Sequence, residues 1–452
     1  MAVSSRSNDF ESRRARLEAT IKEGHGETVR LSKSTSNLFR NRETARAKRL
    51  DVRDFNHVLG IDEAAEQVEV EGMTPYEQLV DATLSAGFMP AVVPELKSIT
   101  IGGAVSGLGI EASSFRYGLV HETVEELEVL LADGGTVIAT PDNEHSDLFF
   151  GFANSFGTLG YALRLKARVV PTRPYVCLNH EKFADPERYF EALGQACERG
   201  DLDFVEGEVF GRERMALSTS RFVDDAPYTS DYSLENIYYK SILARDEDYL
   251  ATRDFIWRWD TDWFWCSRVL GAENPVVRRL LGRKRLNSVT YMRLLKWSSR
   301  HGLAQRLNRL RGFRHQEAVI QDVPIPIERA AEFLQWFHDE IGILPVWTCP
   351  VRVRNPDRVF DLFPMQPDRL YINFGFWDAI REKTERPPGY YNRKIEAKVA
   401  ELGGLKSLYS DVYYPPDEFW QQFDGEAYRR LKQRYDPEGR LSDLYEKTVL
   451  RR

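Results

Sequence analysis

The 452 residues carry a net charge of −7, with 42% hydrophobic and 29% charged residues. That balance describes a globular chain, predicts two domains rather than a single core, and disfavours nucleic acid as a partner. Four widely spaced cysteines (Cys177, Cys197, Cys266, Cys349) and eight dispersed histidines give neither a disulfide framework nor metal-ligand spacing, so no metal site is expected. The N-terminus has no apolar leader and no apolar run is long enough to span a bilayer, so a cytoplasmic protein is expected.

The chain opens with a charged helix over 8–23, a strand in ETVRLSKS and a basic linker. Residues 51–72 read as two short strands around a polar turn. Thr74 then caps a helix that begins at Pro75 and ends at Gly87. Next comes VPELKSITIGGAVSGLGIEASSFRYGLV, where Gly102, Gly103, Gly107 and Gly109 fall within eight residues after a short β-branched run. Such clustering marks backbone that takes positive φ or approaches a ligand closely, in many α/β proteins a phosphate-bearing cofactor. The stretch Gly107-Leu-Gly109-Ile-Glu-Ala112 satisfies the dinucleotide fingerprint in spacing alone. The residues after it, 113–118, read as a loop where a long helix is required, so the fingerprint is rejected. VEELEVLLAD and TVIAT form a hairpin around Asp133-Gly134-Gly135, and YALRLKARVVP alternates as a half-buried strand.

Six ordered landmarks lie in this region: Ile101-Gly102-Gly103, Gly107/Gly109, Tyr117-Gly118, Leu131-Ala132-Asp133-Gly134, Ser146-Asp147-Leu148-Phe149 and Gly157-Thr158-Leu159-Gly160. Together they resemble the FAD-binding domain of the vanillyl-alcohol oxidase (PCMH) type. The resemblance implies an α+β, two-domain flavoprotein, with Thr100, Ile101, Gly102, Gly103, Gly107, Gly109, Ile110, Glu111, Ser113, Tyr117, Gly118, Gly157, Thr158 and Gly160 around FAD. It also implies that backbone N–H groups of the glycine loop face the diphosphate and the ring system. Relatives with covalent flavin carry a His or Cys where this chain has Glu111-Ala112-Ser113-Ser114, so FAD is expected to be non-covalent and His121 structural. The place of the family's glycine-rich phosphate loop is taken by Lys33-Ser34-Thr35-Ser36-Asn37, which has hydroxyls and a cation but no glycine.

Beyond Pro171 the composition shifts, and the segment 200–275 is acidic and aromatic. Trp257, Trp259, Trp263, Phe264 and Trp265 sit within nine residues and fit a substrate channel or a subdomain staple equally. Then Arg278–Arg314 holds twelve Lys/Arg and no Asp or Glu, with interleaved leucines and Trp297. This composition suits a helix lying on an anionic membrane surface; a solvated basic face is the alternative. ERAAEFLQWFHDEIG reads as a helix, ILPVWTCPVRV and DRLYINFGFW as strands. The expected division is 1–175 for FAD, 176–404 for a substrate-binding cap with the membrane-facing segment 278–314, and 405–452 for a tail returning to the flavin domain.

The tail, GGLKSLYSDVYYPPDEFWQQFDGEAYRRLKQRYDPEGRLSDLYEK, with Pro94-Glu95-Leu96, Gly109-Ile110-Glu111, Leu344-Pro345-Val346-Trp347 and Cys349-Pro350, resembles the sterol Δ24-reductase (diminuto/seladin) group. In character the chain is similar to the actinobacterial flavoprotein that reduces 10-methylene to 10-methyl acyl chains. The resemblance implies reduction of an unactivated lipid C=C with FAD and NADPH, at or near a membrane. Its expected partners are the lipid and the methyltransferase that would make a methylene lipid. An isolated alkene has no carbonyl to hold negative charge, so protonation to a tertiary cation must precede hydride delivery. A positioned acid and π-faces are therefore required. Asp411, Tyr413 and Tyr414 are the first candidates, because the matched tail returns to the flavin; Glu95 and Glu111, beside the glycines, are the second.

Overall fold

The computed structural model describes residues 2–24, 26–33, 38–40, 47–300 and 311–452. Its α+β architecture is built on two antiparallel sheets whose strands follow one another in sequence. Helix α1 (Ala2–Glu23) precedes a small parallel pair, β1 (Val29–Ser32) and β2 (Lys48–Asp51). The first large sheet takes β3 (Val58–Asp62), β4 (Gln67–Glu71), β6 (Val124–Leu130), β7 (Thr136–Ala139) and β8 (Tyr161–Pro171) in the order β3-β4-β8-β6-β7, while β5 (Phe88–Pro90) pairs with the end of β8. In the long central strand β8, Leu163, Leu165, Ala167 and Val169 are buried. On its other face Arg164 pairs with Glu69 at 2.7 Å and Glu128 at 2.6 Å, and Lys166 with Glu126 at 3.0 Å. That alternation is why the strand was readable from sequence.

The glycine segment is more helical than its sequence suggests. The run before it makes only an isolated bridge, Pro75 to Thr100, and no strand. Thr100 instead caps helix α3 (Ile101–Gly107), its side chain accepting from Gly103 N at 3.3 Å. The stretch read as a loop contains one helical turn, α4 (Ser114–Tyr117). Thr74 does not cap helix α2 (Tyr76–Leu84); Pro75 holds that position and the Thr74 hydroxyl donates to His57 O. Gly102 is the point where α3 meets the sheet. Its N–H donates to Gly72 O at 2.9 Å, and a Cβ there would lie 2.6 Å from the same oxygen.

The second sheet spans β9 (Tyr175–Phe183), β10 (Phe204–Gly211), β11 (Arg214–Val223), β12 (Glu247–Ala251), β13 (His315–Pro326), β14 (Val346–Arg352) and β15 (Leu370–Glu382), in the order β12-β9-β11-β10-β14-β15-β13. The tail then returns to the first sheet's side of the molecule. Tyr435 donates to Asp147 at 2.7 Å, Lys447 to Phe156 O at 2.8 Å and Arg440 to Gly24 O at 2.7 Å. Among the described residues no helix is long and apolar enough to cross a membrane.

Gly102→Ala is expected to cost about 1–3 kcal/mol, because the obstructing atom is main-chain carbonyl and cannot swing away. Thermal denaturation checks this, with Gly103→Ala as the milder comparison, since a Cβ there meets only the Thr100 hydroxyl.

Candidate active site

A cleft of about 410 Å³ lies between α3 and the second sheet, a size usual for a ligand site. One wall is glycine-rich: Gly102, Gly103, Gly107 and Gly109 from α3 and its exit, with Gly157 and Gly160 before β8. Arg30, Lys33, Arg49, Lys447 and Arg452 supply cations along the lining. The opposing residues come from the second sheet, its loops and the tail: Trp263, Phe264, Asp322, Trp347, Trp377 and Tyr409.

The aromatic cluster divides between the two roles that its sequence left open. Trp259 and Trp265 are core residues, 1% and 0% exposed. Trp263 and Phe264 take φ of 45° and 57°, a left-handed conformation that bulky residues adopt only under tertiary constraint, and this turns both onto the cleft. Phe264 stacks on Trp259 at 4.8 Å and lies 4.3 Å from Trp377 and 5.5 Å from Trp347 between ring centroids. The result is a wall of π-faces, suited to an apolar ligand and to developing positive charge.

Within that wall Asp322 and Tyr409 form the acid pair. Asp322, on β13, faces Gly375 of β15 in register, and a Cβ on Gly375 would lie 2.9 Å from Asp322 Oδ1 and 2.5 Å from the Trp377 ring. The glycine therefore makes room for both side chains. Asn373 Nδ2 donates to Asp322 Oδ1 at 2.7 Å. Tyr409 is held by its backbone, its carbonyl accepting from Phe39 N at 3.1 Å, while Ser407 N donates to Asp322 O at 3.1 Å. Trp377 Nε1 donates to the Tyr409 hydroxyl at 2.9 Å, and the Asp322 carboxyl lies close enough to Tyr409 for each to shift the other's ionisation. Burial raises the Asp322 carboxyl to about 6, against the opposing pull of the Asn373 and Tyr409 hydrogen bonds. Burial and the Asp322 charge raise the Tyr409 phenol well above its usual range, while the Trp377 hydrogen bond pulls it back.

Beside the cleft, three buried carboxylates meet one guanidinium. Arg258 lies 2.8 Å from Glu95, 2.9 Å from Glu111 and 2.8 Å from Glu206, all at 4% exposure or less. The Glu95 approach is out of line for a hydrogen bond, so Glu95 Oε1 has no donor. Trp259 and Trp347 both donate their indole N–H to Glu206 Oε2, at 3.1 and 2.9 Å. The three glutamates are close enough together to hold a metal ion, but the guanidinium already supplies the positive charge. Burial pushes Glu95 and nearby Glu208 well above the carboxylate range and raises Glu111. Glu95 also lines the cleft, its carboxyl held well above the usual carboxylate range by burial.

Several residues expected at the site sit elsewhere. Among the expected cofactor residues, Thr100, Gly102, Gly103, Gly107, Gly109, Ile110, Gly157 and Gly160 line the cleft; Ile101, Glu111, Ser113, Tyr117, Gly118 and Thr158 do not. Ile101 is core, Ser113 donates to Ala91 O at 2.8 Å, Thr158 donates to Ser155 O at 2.8 Å, and Tyr117 lines a separate hollow. Gly118 backs onto the Glu122 carboxyl. The N–H groups of Ile101, Gly102 and Gly103 are taken by Thr74 O, Gly72 O and Thr100 Oγ1, so the start of α3 does not offer them to a diphosphate. The tail reaches the cleft through Ser407, Tyr409, Lys447 and Arg452, not through Asp411, Tyr413 or Tyr414. Asp411 and Tyr413 both meet Arg451, at 3.1 and 3.2 Å, and Tyr414 packs edge-on to Phe423. His121 is buried against Phe360, its ring lowered to about 3 by burial, away from the cleft. Of the segment Lys33–Asn37, only Lys33 lies within the described residues.

Comparison with known proteins shows what the chain is similar to. The FAD binding domain family matches residues 17–140. The Δ24-sterol reductase of Homo sapiens is 28% identical over 411 residues, covering 86% of this chain and 75% of that protein. The Δ24-sterol reductase of Arabidopsis thaliana is 26% identical over 452 residues, covering 91% and 78%. Cytokinin dehydrogenase 7 of rice matches only 32% of the chain, at 28% identity. The chain is a flavoprotein similar over most of its length to the Δ24-sterol reductases. Its residues fit FAD: a Cβ on Gly103 would meet only the Thr100 hydroxyl, which leaves that face of α3 open to the cleft, and Arg30 Nε is buried without a partner. Gly103, Gly107 and Gly109 would seat the flavin closely, and Arg30, Lys33 and Arg49 would meet its phosphates.

In this flavoprotein, removing the central cation strands buried carboxylates. Arg258→Leu is expected to destabilise the fold by about 3–5 kcal/mol. Chemical denaturation measures this, and Glu111→Gln, which removes one carboxylate charge, is expected to cost less.

Proposed function

We propose that this flavoprotein reduces an isolated C=C bond in a lipid side chain of the Δ24-sterol type, with NADPH as reductant. The observation that carries the proposal is the Asp322–Tyr409 pair set among Trp263, Phe264, Trp347 and Trp377 in the same cleft as the glycine wall. The substrate class follows from the relatives named Δ24-sterol reductase in human and plant. The 10-methylene acyl chain expected from the sequence finds no support among the relatives reported and gives way to the sterol-type side chain.

FAD, when bound and reduced, supplies hydride. The chain's own residues must supply the proton and a dry cavity. Tyr409 can donate a proton when Asp322 is protonated: its oxygen accepts from Trp377, and a neutral carboxyl no longer draws the Tyr409 O–H toward itself. A phenol raised in pKa is a weak acid by itself. Asp322 solves this as a relay, giving its carboxyl proton to the Tyr409 oxygen as Tyr409 passes its own to the alkene carbon. The proton goes to the less substituted carbon, which leaves the positive charge on the tertiary one. The indole and phenyl faces of Trp263, Phe264 and Trp377 would then stabilise that charge while excluding water.

The relay needs Asp322 protonated. With its carboxyl at about 6, the competent fraction is full below that pH and falls as pH rises through it. The rate of alkene reduction is therefore expected to fall through about pH 6, and Asp322→Asn is expected to remove that ionisation and slow the reaction by ~10²–10⁴. A pH–rate series on both proteins checks this.

Anaerobic incubation with NADPH tests the whole reading. The proposal expects bleaching of the flavin band, reoxidation on adding a Δ24-unsaturated sterol, and a saturated product. Reoxidation by a 10-methylene phospholipid but not by the sterol would overturn the substrate class. Rapid reoxidation by O₂ with an alcohol as reductant, and no bleaching by NADPH, would instead make this an oxidase.

A further inference from the structure

The most exposed apolar surface of the molecule is concentrated in one basic stretch. Among the described residues, Val269, Val276, Leu280, Leu294 and Trp297 make up five of the nine exposed large hydrophobic side chains, with Leu280 at 77% and Val276 at 65% exposure. They lie on and around two helices, Pro275–Leu281 and Ser288–Arg300. Between Asn274 and Arg300 there is no Asp or Glu, and Arg279, Arg283, Lys284, Arg285 and Arg293 accompany the apolar side chains. A solvated basic face would not turn a leucine and a valine this far outward. Residues 301–310, the continuation of the basic stretch, lie outside the described residues.

The patch is anchored from beneath. Asn274 caps the first helix, its side chain accepting from Val276 N. Arg278 turns inward, fully buried, onto Asp262. Arg279 meets Glu235 at 2.9 Å and Arg283 meets Asp231 at 2.8 Å, which fixes the helix against the body. Below it Leu286 and Tyr291 pack in one cluster with Trp263, flanked by Phe39 and Leu96. Those last three side chains also line the cleft. The outer face of this small subdomain is thus apolar and cationic, and its inner face is a wall of the active site.

We infer that this face docks on an anionic phospholipid bilayer and that its position beside the cleft lets a lipid substrate pass from the bilayer to the site. Charge complementarity names the occupant: apolar side chains projecting from a cationic, carboxylate-free stretch match headgroups that are anionic above an acyl interior. Val276 and Leu280 enter the interface, while Lys284, Arg285 and Arg293 meet the phosphates. The delivery part of the inference rests on the lipid substrate proposed above; the docking part does not.

Co-sedimentation of the flavin-loaded protein with vesicles tests the docking part, independently of turnover. Vesicles of phosphatidylcholine mixed with phosphatidylglycerol are expected to carry the protein down, with binding that weakens as salt rises; vesicles of phosphatidylcholine alone are expected to leave it in solution. The double variant Val276→Glu/Leu280→Glu is expected to bind the mixed vesicles at least about tenfold more weakly. Its flavin absorbance and its turnover of detergent-dispersed substrate should match those of the parent. Equal binding by the variant, no salt dependence, or no binding to the mixed vesicles would overturn the inference. So would a parent protein that sediments as a dimer in solution and a variant that sediments as a monomer, because the face would then be a protein interface.

Discussion

One guanidinium joins the two halves of this molecule. Arg258 sits in the turn after the short helix Thr252–Ile256 that follows β12, and reaches Glu95 and Glu111, which flank the glycine segment, and Glu206, which belongs to the second sheet. Burying that many carboxylates is unfavourable by several kcal/mol each unless charge is neutralised, by a cation or by a proton. Arg258 supplies the cation, and burial shifts the Glu95 carboxyl upward, toward its neutral form. The two indoles that donate to Glu206 extend the link, because Trp347 is also a cleft residue and Trp259 stacks on one. A buried electrostatic cluster thus links the cofactor wall to the aromatic wall, alongside the apolar core that both share.

The cleft that results is asymmetric in chemistry. Its glycine wall suits close approach of a flat ligand, its cations suit an anionic one, and its aromatic wall surrounds one ionisable pair. Strain is concentrated where this matters: two successive aromatic residues, Trp263 and Phe264, hold positive φ to face the cavity. On the sheet beneath them, Gly375 leaves the space that Asp322 and Trp377 share. An acid of this kind is what an isolated alkene demands, since no neighbouring carbonyl can accept charge for it.

Much of the first sheet and the glycine wall was legible in the sequence, because alternation in β8, the Asp133-Gly134-Gly135 turn and the ordered glycine landmarks are local signals. The character of the glycine wall was not. Thr100 reads as the end of a β-branched strand until its hydroxyl is seen to cap a helix, and the N–H groups of Ile101, Gly102 and Gly103 are already paired within the fold. The acid pair was invisible for a different reason. Asp322 lies within an ordinary alternating strand, and only the pairing of β13 with β15 and the return of the tail bring it to Tyr409. Sequence pointed to the correct stretch of tail, yet its Asp411, Tyr413 and Tyr414 engage Arg451 or the tail's own core, whereas Tyr409, two residues upstream of Asp411, faces the cleft. Non-local register decided between side chains that local pattern could not separate.

The central claim is that Tyr409 delivers the proton and takes no part in reducing the flavin. Separating the half-reactions of Tyr409→Phe by anaerobic stopped flow tests it most directly. The account predicts flavin reduction by NADPH at the parent rate and reoxidation by the alkene slowed by ~10²–10⁴. Reoxidation by the alkene at the parent rate would contradict it, as would an equal slowing of both halves, which would mark Tyr409 as a structural residue.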